Sequence, residues 1–486
     1  MIGFNYRFVF KTIGFLLIIE SLCMMVATLV SFYSHEQAGD AILISSSLTF
    51  FCGVFFRLAG TDDCEKPIGK RESFLSVTLA WIVMSAFGML PFYISGHIPS
   101  ISDAYFETMS GFTTTGASIL TDIESLPRGL LFWRSVTQWI GGIGIIVFAL
   151  TILPIMGGNA SALYDAEVTG IIHERFRPRV SQIAKRLWIT YIIITGIVIL
   201  LLWAGPMNLF DSVCHALATI STGGYSTKQM SIAYWDSAYT EYVLTVFMFI
   251  GGTNFALIFY LFRGVPKRLL KDEEFRWYAV TCVVFTVVIA LGLLFSGKLA
   301  DIEYALRTSS FQVVSIITTT GFSTANYTSW GAFYLFLICL LMLFCASAGS
   351  TSGGIKIVRI IVLFKNAINE FRRQVQPNAI LPVRLNHHVV PIDIVTKVLA
   401  FIFLYLGILI FSFILLSFSG LGFEESIGAA ISCMGNVGPG LGANGTSGHF
   451  ADIPEPSKWY LCFLMLTGRL ELFTVLSLLM PAFWRK

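Results

Sequence analysis

Four short, polar, glycine-containing stretches interrupt sequence that is otherwise apolar enough to sit in a bilayer. They read TTTGAS (Thr113 to Ser118), ISTGGY (Ile220 to Tyr225), TTTGFS (Thr318 to Ser323) and GNVGPG (Gly435 to Gly440). Their central glycines, Gly116, Gly223, Gly321 and Gly438, lie 107, 98 and 117 residues apart. Recurrence at this spacing marks an internal duplication, so the fold is restricted to copies of one supersecondary unit. Four such loops, each placing bare backbone between membrane helices, can converge on one axis and surround a small cation.

The rest of the chain fits that reading. Only 13% of the 486 residues are charged and 55% are hydrophobic, against about 25% charged in soluble proteins. Ten stretches reach the length of about 20 mainly apolar residues that a spanning helix needs. They are 8–32, 40–60, 73–95, 129–155, 184–205, 239–263, 276–297, 330–364, 394–419 and 458–484. The last eight fall into four pairs. Within each pair a glycine loop follows a segment too short to cross: Ser102–Thr113, Leu209–Thr219, Tyr304–Ile317 or Glu424–Met434. Such a segment suits a half-membrane helix that enters and returns. The sequence therefore predicts an all-α membrane protein of ten transmembrane helices with four re-entrant loops. Two N-terminal helices (1–70) precede units at 71–182, 183–272, 273–390 and 391–486.

Basic residues test this topology. Of the 32 Lys and Arg, 24 fall on one side of the assigned spans and six on the other, with Lys356 and Arg469 inside apolar segments. Positive charge favours the cytoplasm, which places both termini there and opens the four loops outward. Arg7 and Lys11 ahead of the apolar run Thr12 to Val30 mimic a secretory signal. The run is long enough to span, and no small-x-small cleavage site follows, so an uncleaved first helix is expected.

A second recurrence follows each loop by about 25 to 30 residues, where the next helix is broken. The breaks are QWIGGIG (138–144), FIGGTNF (249–255), SAGSTSGGIK (347–356) and LTGRLE (466–471). The third is the most disrupted, with Gly349, Ser350, Thr351, Ser352, Gly353 and Gly354 in succession. Such residues make a poor lipid-facing helix, so this segment is expected beside a wet path midway through the membrane.

Rings of backbone carbonyls replace the hydration shell of a monovalent cation without fixed charge. The glycine allows the backbone angles this needs. Thr115, Thr222 and Thr320 stand directly before it and can brace the backbone, while Asn436-Val437 replaces that pattern in the fourth loop. Each preceding short helix points its partially negative C-terminal end at the centre. None of the loops contains Lys or Arg, the residues an anion pore would need. Asp103, Glu107, Asp122, Glu124, Asp211, Asp236, Asp301, Glu303, Glu424 and Glu425 flank the outer mouth, as cation attractors or as an ordinary solvated rim. Small residues also pack helices together in membranes, which would suffice for one TTTG but not for four placed alike.

Other classes of function find little support. The nine cysteines form no CxxC pair, the seven histidines show no ligand spacing, and no nucleophile–base pair suggests an enzyme. Secondary transporters usually show two inverted halves. Coupling would favour acidic residues inside the spans, where Glu20 is the one clear candidate. Proton- or sodium-coupled symport stays open as the alternative to passive conduction.

These loops, breaks and spans resemble the superfamily of potassium transporters, and within it the bacterial Trk-type uptake subunits, over essentially the whole chain. The two extra N-terminal helices distinguish it from the Ktr relatives. The resemblance implies pseudo-fourfold packing around one pore, a homodimer in the inner membrane, and potassium as the transported ion. It also implies a cytosolic, nucleotide-binding regulatory subunit of the TrkA kind, with no organic cofactor on this chain and no nucleic-acid partner. Filter residues carried over are Thr113, Thr114, Thr115 and Gly116; Ile220, Ser221, Thr222 and Gly223; Thr318, Thr319, Thr320 and Gly321; and Gly435, Asn436, Val437 and Gly438. Ala346 to Gly354 resembles the family's intramembrane gate loop, including Gly349, Ser350, Thr351, Ser352, Gly353 and Gly354. Arg469, in an apolar helix, is expected either as an electrostatic barrier below the filter or as half of a structural pair. Glu471, two positions on, points to another face and is a poor partner for it.

Overall fold

A computed structural model describes residues 5–60, 70–144, 180–446 and 448–484. Two antiparallel helices open the chain, α1 (Tyr6–Tyr33) and α2 (Ala38–Ala59). A helix, a short helix, a glycine loop and a second helix then recur four times, the second helix being interrupted in the last three sets. The first set is α3 (Lys70–Gly88), α4 (Ile101–Phe112) and α5 (Arg128–Ile143). The second is α6 (Val180–Trp203), α7 (Leu209–Ile220), α8 (Ala238–Gly251) and α9 (Phe255–Phe262). The third is α10 (Glu273–Phe295), α11 (Ile302–Ile317), α12 (Ala332–Leu343) and α13 (Ile357–Val375). The fourth is α14 (Ile392–Phe418), α15 (Phe423–Gly435), α16 (Glu455–Arg469) and α17 (Leu472–Leu479).

Each short helix starts on a polar cap. Ser100, Asn208 and Asp301 accept from backbone N–H groups of Asp103, Asp211 and Tyr304, and Glu425 accepts from Gly422 N at 3.1 Å. Asp103, Asp211, Glu303 and Glu425 sit in the first turns, where a carboxylate opposes the positive end of the helix dipole. Much of the acidic character of these segments thus belongs to helix initiation.

Among the described residues six helices are long and apolar enough to cross a membrane, seven if α8 and α9, bent by 111°, count as one. The other three predicted spans are not single helices. α5 ends at Gly144 (φ 74), and the remainder of 129–155 lies outside the described residues. Span 330–364 divides into α12 and α13, and 458–484 divides at Leu470-Glu471, where Glu471 has φ 63. The end of α5 and the interruptions in the other three sets fall at the expected glycine or polar breaks. The third departs from an all-helical chain: β1 (Phe344–Cys345) pairs in parallel with β2 (Ile355–Lys356) and pinches off residues 346–354.

Helices α1 and α2 meet backbone to backbone. A Cβ on Gly14 would lie 2.5 Å from Arg57 N and 2.6 Å from Gly53 O, the close approach that small residues permit in membranes. Gly14→Val is expected to force this pair apart and cost about 1–3 kcal/mol, read as a lowered thermal midpoint of the detergent-solubilised protein. An unchanged midpoint would contradict the tight packing.

Candidate functional site

The four loops leave their short helices by the same turn. Thr114, Thr222, Thr319 and Asn436 hold φ of 53, 53, 58 and 56, a left-handed conformation that side chains resist. The following residues, Thr115, Gly223, Thr320 and Val437, donate their N–H to the carbonyl five residues back, each at 2.9 Å. Next come Gly116, Gly224, Gly321 and Gly438 with φ of 84, 78, 81 and 101. This pattern corrects the second loop by one position. The equivalent of Thr113 to Gly116 is Ser221 to Gly224, and Ile220 is the last residue of α7. Adjacent glycines hid the register in the sequence, because only the backbone angle separates Gly223 from Gly224.

The loops close on one another. A Cβ on Gly116 would run into the carbonyl of Gly223, one on Gly224 into Thr320, and one on Gly321 into Val437. One on Gly438 would come within 2.6 Å of Thr115 O, completing the circuit. Loops one and three are braced by their own hydroxyls: Thr113 and Thr115 Oγ1 are 2.8 Å apart, as are Thr318 and Thr320 Oγ1. Asn436 Nδ2 donates to Thr115 Oγ1 and to Met465 O, both at 2.9 Å, and ties the fourth loop to the first. Two atoms at the left-handed position, Thr114 Oγ1 and Asn436 Oδ1, are buried without a hydrogen-bond partner among the described residues. An orphaned buried oxygen is costly unless something arrives to use it.

Residues 346–354 lie against this ring. Thr351 Oγ1 donates to Ile220 O (3.1 Å) and Gly251 O (3.2 Å), and receives Thr222 Oγ1 at 3.1 Å. Gly353 N donates to Thr319 Oγ1 at 3.1 Å, and a Cβ there would meet Asn436 Oδ1 at 2.5 Å. The segment therefore touches the second, third and fourth loops. Gly349 (φ 74) gives its carbonyl to Phe255 N at 3.1 Å, fixing it to the break between α8 and α9. Ser350 and Ser352 hydroxyls lie 2.7 Å apart, and Lys356 Nζ donates to the Ser352 carbonyl and hydroxyl. Gly354 has no room for a side chain beside Cys345.

Arg469, half-buried, bridges this segment to the first set of helices. Its Nη1 donates to Thr351 O at 2.5 Å and its Nη2 to Gly141 O (2.6 Å) and Gly142 O (3.1 Å). Glu471 pairs with Arg359.

The mouth is less acidic than the sequence suggests. Glu107 is buried and pairs with buried Arg134 at 2.8 Å, while also accepting from Ser118 Oγ and Ile119 N. Arg134 stacks over the Tyr225 ring at 4.1 Å, and Tyr225 OH donates to Glu107 O at 2.6 Å. Asp103 pairs with Lys458, Glu124 with Lys228 and Glu303 with Arg307. Glu107 is thus a scaffold residue behind the first and second loops. Arg134, a charge within a predicted membrane span, was the available sequence signal.

A ring of four like-built loops, held by short helices and capped by an irregular segment among apolar helices, defines a membrane protein built around a central site for a small solute. Residues 41–485 match the family model of the TrkH cation transport proteins. The chain belongs to that family. It is 36% identical to the Trk system potassium uptake protein TrkH of Escherichia coli K12, over 99% of this chain and all of that one. Identity to the Vibrio parahaemolyticus protein of the same description is 35%, over 99% of this chain and all of the other. The crystal structure of the potassium transporter TrkH from Vibrio parahaemolyticus superimposes with a TM-score of 0.90 at 34% identity, covering 99% of this chain and all of that one.

The Arg134–Glu107 pair makes a quantitative prediction. Arg134→Ala leaves a buried carboxylate alone and is expected to cost about 3–5 kcal/mol. The double variant Arg134→Met with Glu107→Leu should recover most of that loss in thermal unfolding. Equal destabilisation of both variants would show that the charges do not act as a pair.

Proposed function

We propose that this protein carries potassium across the bacterial inner membrane through a filter of main-chain oxygens. The observation that carries this reading is the closed circuit in which each loop glycine abuts the carbonyl of the next loop. The filter residues are Thr113 to Gly116, Ser221 to Gly224, Thr318 to Gly321 and Gly435 to Gly438. Their loops offer oxygens and no fixed charge, and four short helices direct their C-terminal ends at the same place. Potassium is the cargo, as the names of the relatives indicate. The ten-span arrangement, with two N-terminal helices and four pore units at the boundaries given above, belongs to this proposal. So does the orientation with both termini in the cytoplasm.

Residues 349–354 act as the gate. Their contacts to three loops and the Arg469 bridge describe a closed state in which the segment occludes the path. Arg469 holds that state by gripping the Thr351 carbonyl, and its charge also opposes a cation leaving the filter. A homodimer, with a cytosolic nucleotide-binding subunit of the TrkA kind, would move α12 and α13 and draw the pinched segment aside. Conduction then needs no coupling, since the membrane potential contributes about 2.3 kcal/mol per 100 mV for each charge. Proton- or sodium-coupled symport is the second reading. It would call on Glu20, which is buried with both oxygens unpartnered among the described residues.

Recording from the purified protein in planar bilayers under a potassium gradient tests this. Single-channel currents with a reversal potential set by potassium are expected, and a reversal potential that follows an imposed pH gradient would favour symport instead. Arg469→Ala is expected to raise rubidium flux about fivefold or more without the regulatory subunit, the factor for one net hydrogen bond. Deleting 350–353 should give the same constitutive flux. Unchanged flux in both, at equal amounts of folded protein, would remove the gate assignment.

A further inference from the structure

Two loops of the ring lack the threonine of loops one and three: the fourth has Val437 there and the second has glycine. Position 223 is glycine where loops one and three have Thr115 and Thr320, each hydroxyl-bonded to its own loop at 2.8 Å. Gly223 and Gly224 are also consecutive, and two glycines give the least restrained backbone available. The place of the missing side chain is nevertheless filled. A Cβ on Gly223 would run into the carboxamide of Gln138, with Oε1 at 2.6 Å and Cγ at 2.8 Å. Gln138 comes from α5, in the neighbouring set of helices, and is fully buried.

Its two polar atoms are both used on this loop. Nε2 donates to Gly223 O at 2.7 Å, and Oε1 accepts from Tyr225 N at 3.0 Å. The amide can take only this orientation, because a carbonyl needs the donor end and an N–H needs the acceptor end. The two bonds bracket Gly224, the residue at φ 78. Gly141, Gly251 and Gly468 each pack against the end of the short helix of their own set, which aligns the residues three positions before them, Gln138, Met248 and Met465. Among these three positions the polar side chain is the one bonded to the second loop.

We propose that Gln138 is a positioning residue for the second loop. Its carboxamide replaces the absent threonine side chain from across the unit boundary and holds the Gly223–Gly224 peptide plane in the ring, which sets discrimination between potassium and sodium. The inference rests on the filter reading above. A glycine pair released from both anchors would let this quarter of the ring relax around a smaller ion, whereas loops one and three keep their hydroxyl braces and loop four stays tied to loop one through Asn436. Ser221 Oγ, bonded to Leu217 O at 2.8 Å, stands where Thr113 and Thr318 stand and could receive a threonine introduced at 223.

The test compares potassium-to-sodium permeability ratios, from reversal potentials in planar bilayers, for the full-length protein at matched amounts. Gln138→Leu is expected to lower the ratio about fivefold or more, the factor for one net hydrogen bond lost. Thr320→Val serves as a reference that tests the filter itself. Gly223→Thr alone should fail, because Gln138 occupies the space, while Gly223→Thr with Gln138→Ala should return the ratio towards that of the unaltered protein. A normal ratio for Gln138→Leu beside a lowered one for Thr320→Val would overturn the role of Gln138 and leave the filter standing. Normal ratios for both would overturn the filter. Should Gln138→Leu not fold, the double variant decides: a restored ratio supports complementation, and an unrestored one ends it.

Discussion

Backbone pressed against backbone at the centre of the molecule is the constraint on which the rest depends. Each loop must bring a residue with positive φ within contact of a carbonyl from the next loop, four times around, and only glycine meets both demands. Carbonyls crowded in this way are poorly hydrated, and buried polar groups are costly unless something satisfies them. A dehydrated cation is the natural partner. Short helices follow from the same need, since each must stop halfway through the bilayer and deliver its chain to the ring.

The interrupted helices are the complement of those loops. A helix packed beside an ascending loop has to let the loop's backbone approach it, and Gly141 and Gly468 lie directly against the carbonyl ends of α4 and α15. Beyond these points the helices cannot continue unbroken, and the freed backbone finds partners within the protein. Among the described residues the freed chain is longest in the third set. It is pinned by β1 and β2, by Thr351 on the carbonyls of Ile220 and Gly251, and by Arg469 on Thr351. Few of these contacts are apolar.

Charge is arranged on the same principle. The ring itself has no ionised side chain, so an ion is neither trapped by a carboxylate nor repelled by a base within it. Ionised groups stand behind the loops as internal pairs, such as Arg134 with Glu107, or at helix starts, such as Asp211. Several carboxylates that flank the mouth in the sequence, Asp103, Glu107, Glu124 and Glu303, are paired with bases in the fold. Partners such as Arg134 and Lys458 lie 27 and 355 residues away in the chain, and only folding brings them together.

The four loops, the short helices before them, the breaks after them and the apolar spans were all legible in the sequence, because each is a local consequence of composition. Glycine and threonine in an apolar context mark a loop whatever surrounds it, and serine-glycine runs break a helix anywhere. The tertiary structure alone decided the register of the second loop, since Gly223 and Gly224 differ only in backbone angle. It also decided that Ile220 belongs to a helix, that Glu107 is a scaffold, that Arg469 reaches Thr351, and that Gln138 serves a loop 85 residues further on. Those are relations between distant residues, and a single sequence records residue types in order without recording which of them will touch.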